Sequence, residues 1–158
     1  HHGPKCMLIN GLAGLAAILV VAAGLRWFHL GAQSLWYDEG YSVYLAGKSL
    51  AQLTIETAND IQPPLYYYLL HFWMLLFGRS EIAVRSLSLL LGVLSVPLFY
   101  WLGRRLFSRE VGLLAAALAA LSPLYLWYAQ EVRMYTLLVA LTLASRMSVL
   151  VPRPVTSF

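Results

Sequence analysis

Four apolar runs dominate the chain. Met7–Leu25 carries no charge, Ser86–Gly103 (SLSLLLGVLSVPLFYWLG) carries none around a central Pro97, and Val111–Ala129 (VGLLAAALAALSPLYLWYA) carries none either. Met134–Val151 is the fourth and contains Arg146. A helix that crosses a bilayer needs roughly 20 apolar residues and tolerates an internal proline. The pattern therefore predicts spans at about 7–25, 86–103, 111–129 and 134–151. A fifth stretch, PPLYYYLLHFWMLLFG at Pro63–Gly78, is shorter and crowded with Tyr, Trp and His. Such residues favour the bilayer surface, and Pro63 and Pro64 suit a helix start, where a missing N–H goes unnoticed. We expect a helix at 63–78 lying in the interface.

The charges between the runs set the orientation. With 63–78 flat, the N-terminus is inside and 26–85 forms one long outer loop. Lys5, Arg104, Arg105, Arg109, Arg146 and Arg153 then lie inside against Glu110 alone. Arg26, Lys48, Arg79, Arg85 and Arg133 lie outside with Asp38, Glu39, Glu56, Asp60, Glu81 and Glu131. This satisfies the positive-inside rule, whereas a spanning 63–78 would move the Arg104–Arg109 turn outside. Residues 1–6 (HHGPKC) read as a leader or tag remnant, 7–151 as the transmembrane region, and 152–158 as a tail. The abrupt ends suggest a fragment of a longer protein.

Composition agrees. The chain is 60% hydrophobic and 11% charged, against about 25% charged in a typical soluble domain. The expected class is all-α, a polytopic membrane protein with a helical first outer loop. The net charge of +4 follows from the topology, and no basic, aromatic-laced face suggests a nucleic-acid partner. A single cysteine excludes an intrachain disulfide. There is no Gly-rich phosphate loop, no His/Cys metal spacing and no Ser-His-Asp signature. Gly11, Gly14, Gly24, Gly92 and Gly112 are expected to let helices approach closely.

Within SLWYDEGYSVYLAGKSL, Asp38 and Glu39 stand side by side just beyond the first span, among Trp36, Tyr37, Tyr41 and Tyr44. A partly desolvated aromatic setting raises a carboxylate's pKa and suits it to general-base work. The plain alternative is an exposed loop carboxylate at headgroup level. Arg85 and Arg133 each open an apolar helix on the outer side. A lone arginine there snorkels, but two of them beside two carboxylates can grip a phosphate or diphosphate. Tyr135 follows Arg133 closely. His71 is expected to be packed, not a ligand.

Three segments in order, LWYDEGYSVYLA, QPPLYYYLLHFWMLLFGRSEIAVRSLSLLLGVLSVPLFYWLGRRLF and SREVGLLAAALAALSPLYLWYAQEVRMY, give the chain from about Leu8 to Ala144 a family likeness. It resembles the N-terminal part of a family 39-type membrane glycosyltransferase, the group of protein O-mannosyltransferases and the lipid A aminoarabinose transferase. The resemblance implies a C-type glycosyltransferase fold that moves a sugar, with inversion, from a polyprenyl-phosphate donor to a protein, lipid or cell-envelope glycan. The reaction would run at the outer face of a bacterial plasma membrane. It makes Asp38 the catalytic base and Glu39 its supporting partner. Arg85 would serve the donor or acceptor site, and Arg133 and Tyr135 would lie near the donor phosphate. Gln62 stands where many relatives carry a His before Pro-Pro and is a further binding candidate. No aspartate follows the arginine in RMYTLL, which fits a bacterial branch whose acceptor is open. The sequence singles out no certain cofactor; a divalent metal at Asp38 and Glu39 stays open, resting on two carboxylates alone. A non-catalytic helical membrane protein and an inactive truncated product stay as alternatives. A transporter is disfavoured, because the first three spans lack mid-helix ionisable groups.

Overall fold

The computed structural model describes residues 4–60 and 63–150, and Gln62 therefore lies outside the described residues. The described residues form helices without strands: α1 (Pro4–Trp27), α2 (Tyr37–Ala46), α3 (Leu50–Asn59), α4 (Pro64–Phe77), α5 (Glu81–Leu106), α6 (Arg109–Leu121), α7 (Pro123–Ala129) and α8 (Tyr135–Leu150). Serine hydroxyls open three of them. Ser49 accepts from Gln52 N, Ser80 from Ala83 N and Ser108 from Val111 N, each satisfying a helix-end N–H that has no partner within the helix. α4 starts at Pro64, as its double proline implies.

The second predicted stretch becomes α5, which is about 39 Å long at 1.5 Å per residue. Among the described helices it alone is long and apolar enough to cross a membrane; the bent pair α6–α7 adds a second if the two count as one span. Gly11–Trp27, α4 and Tyr135–Val149 are apolar but shorter. The expected continuous helix at 111–129 is thus corrected: it breaks at Ser122 with a bend of 59°. The cause is Pro123, which has no N–H to return to the Ala119 carbonyl one turn earlier.

α5 is the spine, touching α1, α4, α6, α7 and α8. It packs closest on α6, where a Cβ on Gly112 would fall 2.6 Å from the Tyr100 carbonyl oxygen, so only glycine admits this backbone approach. Gly24, by contrast, has nothing within 4 Å of an added Cβ and does not serve helix packing. Two apolar clusters result. One, around Leu15, Ala22, Val96, Tyr100, Ala116 and Ala120, glues α1, α5 and α6. The other, including Leu45, Leu53, Tyr66, Leu70, Val84 and Val132, binds α2–α4 to α5 and to the α7–α8 connection. α2, α3 and α4 therefore fold onto the N-terminal end of α5.

Candidate active site

Five short pieces meet at that end: the 28–36 loop, the start of α2, the start of α5, the end of α7, and the 130–134 connection. The 28–36 loop turns sharply after α1, with His29 in the left-handed region at φ 60°, a conformation that histidine adopts more readily than most residues. The turn points several carbonyls inward. A Cβ on Gly31 would lie 2.8 Å from Ile82, so the loop sits tight against α5.

Arg85, on the first turns of α5, collects those carbonyls. Its Nη1 donates to Leu30 O (2.9 Å) and Gln33 O (2.7 Å), and its Nη2 to Ser34 O (3.4 Å). The same guanidinium grips Glu39 with both arms, Nε to Oε1 at 3.0 Å and Nη2 to Oε2 at 2.6 Å. An arginine has five N–H groups, and all of Arg85's are used. Glu39 is equally occupied. It also accepts from Val132 N (3.1 Å) and Trp36 N (3.4 Å), the latter being the reach-back of an N3 glutamate to its own helix start. At 1% exposure Glu39 is a buried charge whose every lone pair faces a donor, the condition under which such burial is tolerated.

Asp38 is different. Its side chain is 40% exposed and makes one ion pair, to Arg133 Nη1 at 2.8 Å. Arg133 lies with its guanidinium 5.6 Å from the centre of the Tyr135 ring, and its Nη2 makes a long 3.5 Å contact to the Tyr135 hydroxyl. Its Nε has no hydrogen-bond partner among the described residues. Tyr135 in turn stacks on Tyr128, ring centres 4.5 Å apart. The sequence-predicted set Asp38, Glu39, Arg85, Arg133 and Tyr135 therefore converges, but in two layers. Glu39 and Arg85 form the floor, and Asp38, Arg133 and Tyr135 form the rim.

Beside the floor opens a cavity of about 390 Å³, lined in part by Glu39, Arg85, Trp36, Trp127, Gln130 and Glu131. The two tryptophans are exposed. Trp127 Nε1 donates to Glu131 Oε1 at 2.6 Å. Burial pushes the Glu131 carboxyl above its ordinary pKa; the Trp127 hydrogen bond and Arg133 oppose this, while the neighbouring carboxylates of Glu39 and Asp38 add to it. A metal at Asp38 and Glu39 does not fit. Both Glu39 oxygens are taken by cationic and backbone donors, and no group of three His, Cys, Asp or Glu converges among the described residues.

His71 is packed as expected, its Nδ1 2.7 Å from the Ala46 carbonyl at the end of α2. Sequence reasoning missed four contributors: the loop carbonyls of Leu30, Gln33 and Ser34, the Val132 N–H, Gln130, and Arg26. Backbone groups leave no trace in side-chain identity. Arg26 did leave one, because a charge ending an apolar run must either reach water or find partners inside. It is fully buried, not a loop charge at the outer surface.

Residues 61–151 match the family described as dolichyl-phosphate-mannose-protein mannosyltransferase. The chain belongs to that family. Comparison with curated proteins and with solved structures gives no match. Membership places the chain among membrane glycosyltransferases of the mannosyltransferase kind, without singling out the aminoarabinose transferases. The matched segment of this mannosyltransferase-family chain holds α4–α8 and with them Arg85, Arg133 and Tyr135. Asp38 and Glu39 precede it and are tied to it by the bonds from Arg85, Val132 and Arg133.

Proposed function

We propose that this chain carries the reacting carboxylate of a sugar transfer from a polyprenyl-phosphate donor to a hydroxyl acceptor, with inversion, at the outer face of a bacterial plasma membrane. The observation that carries the reading is the division of the two adjacent carboxylates. Glu39 has no free lone pair, while Asp38 is open to solvent beside a cation that still has N–H groups to offer.

In this reading the acceptor hydroxyl sits against Asp38. As its oxygen attacks the anomeric carbon from the face opposite the phosphate, the proton passes to the Asp38 carboxylate. The bond from the anomeric carbon to the phosphate oxygen breaks, and its electron pair leaves with the lipid phosphate. Arg133, paired with Asp38 at the rim, is the cation for that growing charge. Tyr135 orients Arg133. Arg85 has no N–H left for a phosphate, so its role is to hold Glu39 and the 30–34 carbonyls in place. Gln62 stays a binding candidate on the resemblance alone. The cavity beside Glu39, with exposed Trp36 and Trp127, has the aromatic and polar lining that suits a sugar ring.

α1, α5, the bent α6–α7 pair and α8 are taken as four spans, with α4 in the interface. In support, every site element gathers at one end of the bundle. The Arg104–Arg109 turn lies at the other, where the Arg109 side chain covers Gly11.

The test is Asp38→Asn in the full-length protein, assayed in vesicles supplied with dolichyl-phosphate mannose. Loss of a general base predicts a fall of about 10²–10⁴-fold in transfer with normal accumulation of the protein. Retained transfer would remove Asp38 from the chemistry.

A further inference from the structure

Arg26 is a fully buried cation, and among the described residues no carboxylate partners its guanidinium. Those partners are carbonyls. Nη1 donates to Ala22 O of its own helix (3.2 Å) and to Ala120 O (3.2 Å), and Nη2 to Ala119 O (3.2 Å). Ala119 and Ala120 close α6 at its break. The Ala119 carbonyl is the one that Pro123 leaves without an N–H, and the last carbonyls of a helix carry the negative end of its dipole. Arg26 therefore supplies both a hydrogen bond and a compensating charge at the point where the span is cut.

A second tie runs the other way. Gln130 Nε2 donates to Arg26 O (3.1 Å) and Phe28 O (2.9 Å), two carbonyls left open at the end of α1. The segment from α7 to Arg133 is thus pinned to α1 on both sides of the bend. Within that segment lie the Val132 N–H that holds Glu39 and the guanidinium that holds Asp38. The packing leaves little slack: a Cβ on Gly92 would meet the Ala129 Cβ at 2.8 Å and Arg26 Nε at 3.3 Å.

We propose that Arg26, together with Gln130, is a positioning latch: it bridges the proline break between α6 and α7 to α1 and so sets the register of the 130–135 segment that carries Arg133. The role assigned to Arg133 rests on the transfer reading above; the latch itself does not.

The experiment is a cycle of Arg26→Met, Pro123→Ala and the double variant, with Gln130→Leu beside it, all in the full-length protein in detergent or nanodiscs. Two readouts are taken. The first is amide hydrogen exchange of residues 130–135. The second is transfer from dolichyl-phosphate mannose, resolved into kcat and donor KM. Arg26→Met and Gln130→Leu are expected to speed exchange in 130–135. Arg26→Met, which does not line the cavity, should lower kcat by about tenfold or more while donor KM stays within about twofold, since a misplaced catalytic group costs rate more than binding; Gln130→Leu, whose side chain also lines the cavity, is read by exchange alone. Pro123→Ala restores an N–H for Ala119, so Arg26→Met should cost less in that background. Equal cost in both backgrounds, or unchanged exchange in both single variants, overturns the latch. Should Arg26→Met not accumulate, Gln130→Leu decides alone: faster exchange in 130–135 supports the latch and unchanged exchange overturns it. If the unaltered protein transfers no sugar from this donor yet exchange responds as expected, the latch stands and the transfer reading falls.

Discussion

Two ion pairs, one residue apart in sequence, divide the candidate site into an interior and a rim. Successive residues of a helix point about 100° apart. That single step sends Glu39 under α5 and leaves Asp38 facing out. The interior pair, Glu39 with Arg85, is sealed: two parallel bonds join the partners, and backbone groups take up every remaining donor and acceptor. The rim pair, Asp38 with Arg133, is a single contact with the carboxylate 40% exposed. The same two residue types therefore do opposite things. A charge pair that is fully committed fixes structure, and one that is partly committed keeps capacity for a substrate.

The contrast breaks most visibly at Arg85. Arg85→Met leaves Glu39 buried and unpaired, and removing one member of such a pair costs about 3–5 kcal/mol. Thermal unfolding in detergent should show a large drop in midpoint, or the protein should fail to accumulate. The double variant Arg85→Met with Glu39→Leu removes the orphaned charge and should recover part of that loss without restoring the 30–34 loop. If Arg85→Met unfolds like the unaltered protein, the interior pair is not structural.

The rim should respond in the reverse sense. Arg133→Met removes a pair whose acid is well exposed, which is worth less than about 1 kcal/mol. The unfolding midpoint should hardly move. Transfer should fall by about 10²-fold, the usual cost of losing one group that stabilises developing charge. Arg133→Lys should restore part of the rate, since a point charge persists without the planar fork. Equal loss of stability in Arg133→Met and Arg85→Met would erase the distinction between floor and rim.

The outline of this arrangement was legible in the sequence, and the division of labour was not. The apolar stretch at 63–78 and its double proline placed α4 to within a residue of its observed start and end. The convergence of Asp38, Glu39, Arg85, Arg133 and Tyr135 followed from their shared flank of the predicted spans. Reading Arg85 as a phosphate ligand looked only at its charge. Its actual neighbours are the carbonyls of Leu30, Gln33 and Ser34, which any residue types would provide. The break at Ser122 was missed because proline is often absorbed within a spanning helix, as Pro97 is in α5. What differs at Pro123 is a partner, Arg26, able to take over the abandoned carbonyl from another helix. That pairing spans more than ninety residues and has no local signature.

The smallest effect tests the boundary between the two layers, where Glu131 faces the cavity. Its pKa is raised, by burial first of all. The folded protein therefore holds this proton more tightly than the unfolded chain does. The sign follows: the resulting stabilisation is complete below the unfolded carboxylate pKa and is lost as pH rises through the folded one. Glu131→Gln keeps an oxygen for the Trp127 indole N–H and removes the ionisation. The variant should unfold at the same midpoint as the unaltered protein in acid and at a higher one near neutrality. The difference between the two midpoints should grow as pH rises above the ordinary carboxylate range. Asp38 and Arg133 also face this carboxyl, so the experiment is repeated in Arg133→Met, where losing the neighbouring cation should raise the Glu131 pKa further and move the window to higher pH. A window that stays put would mean that the rim does not reach the cavity electrostatically, and floor and rim would then be independent sites rather than two layers of one.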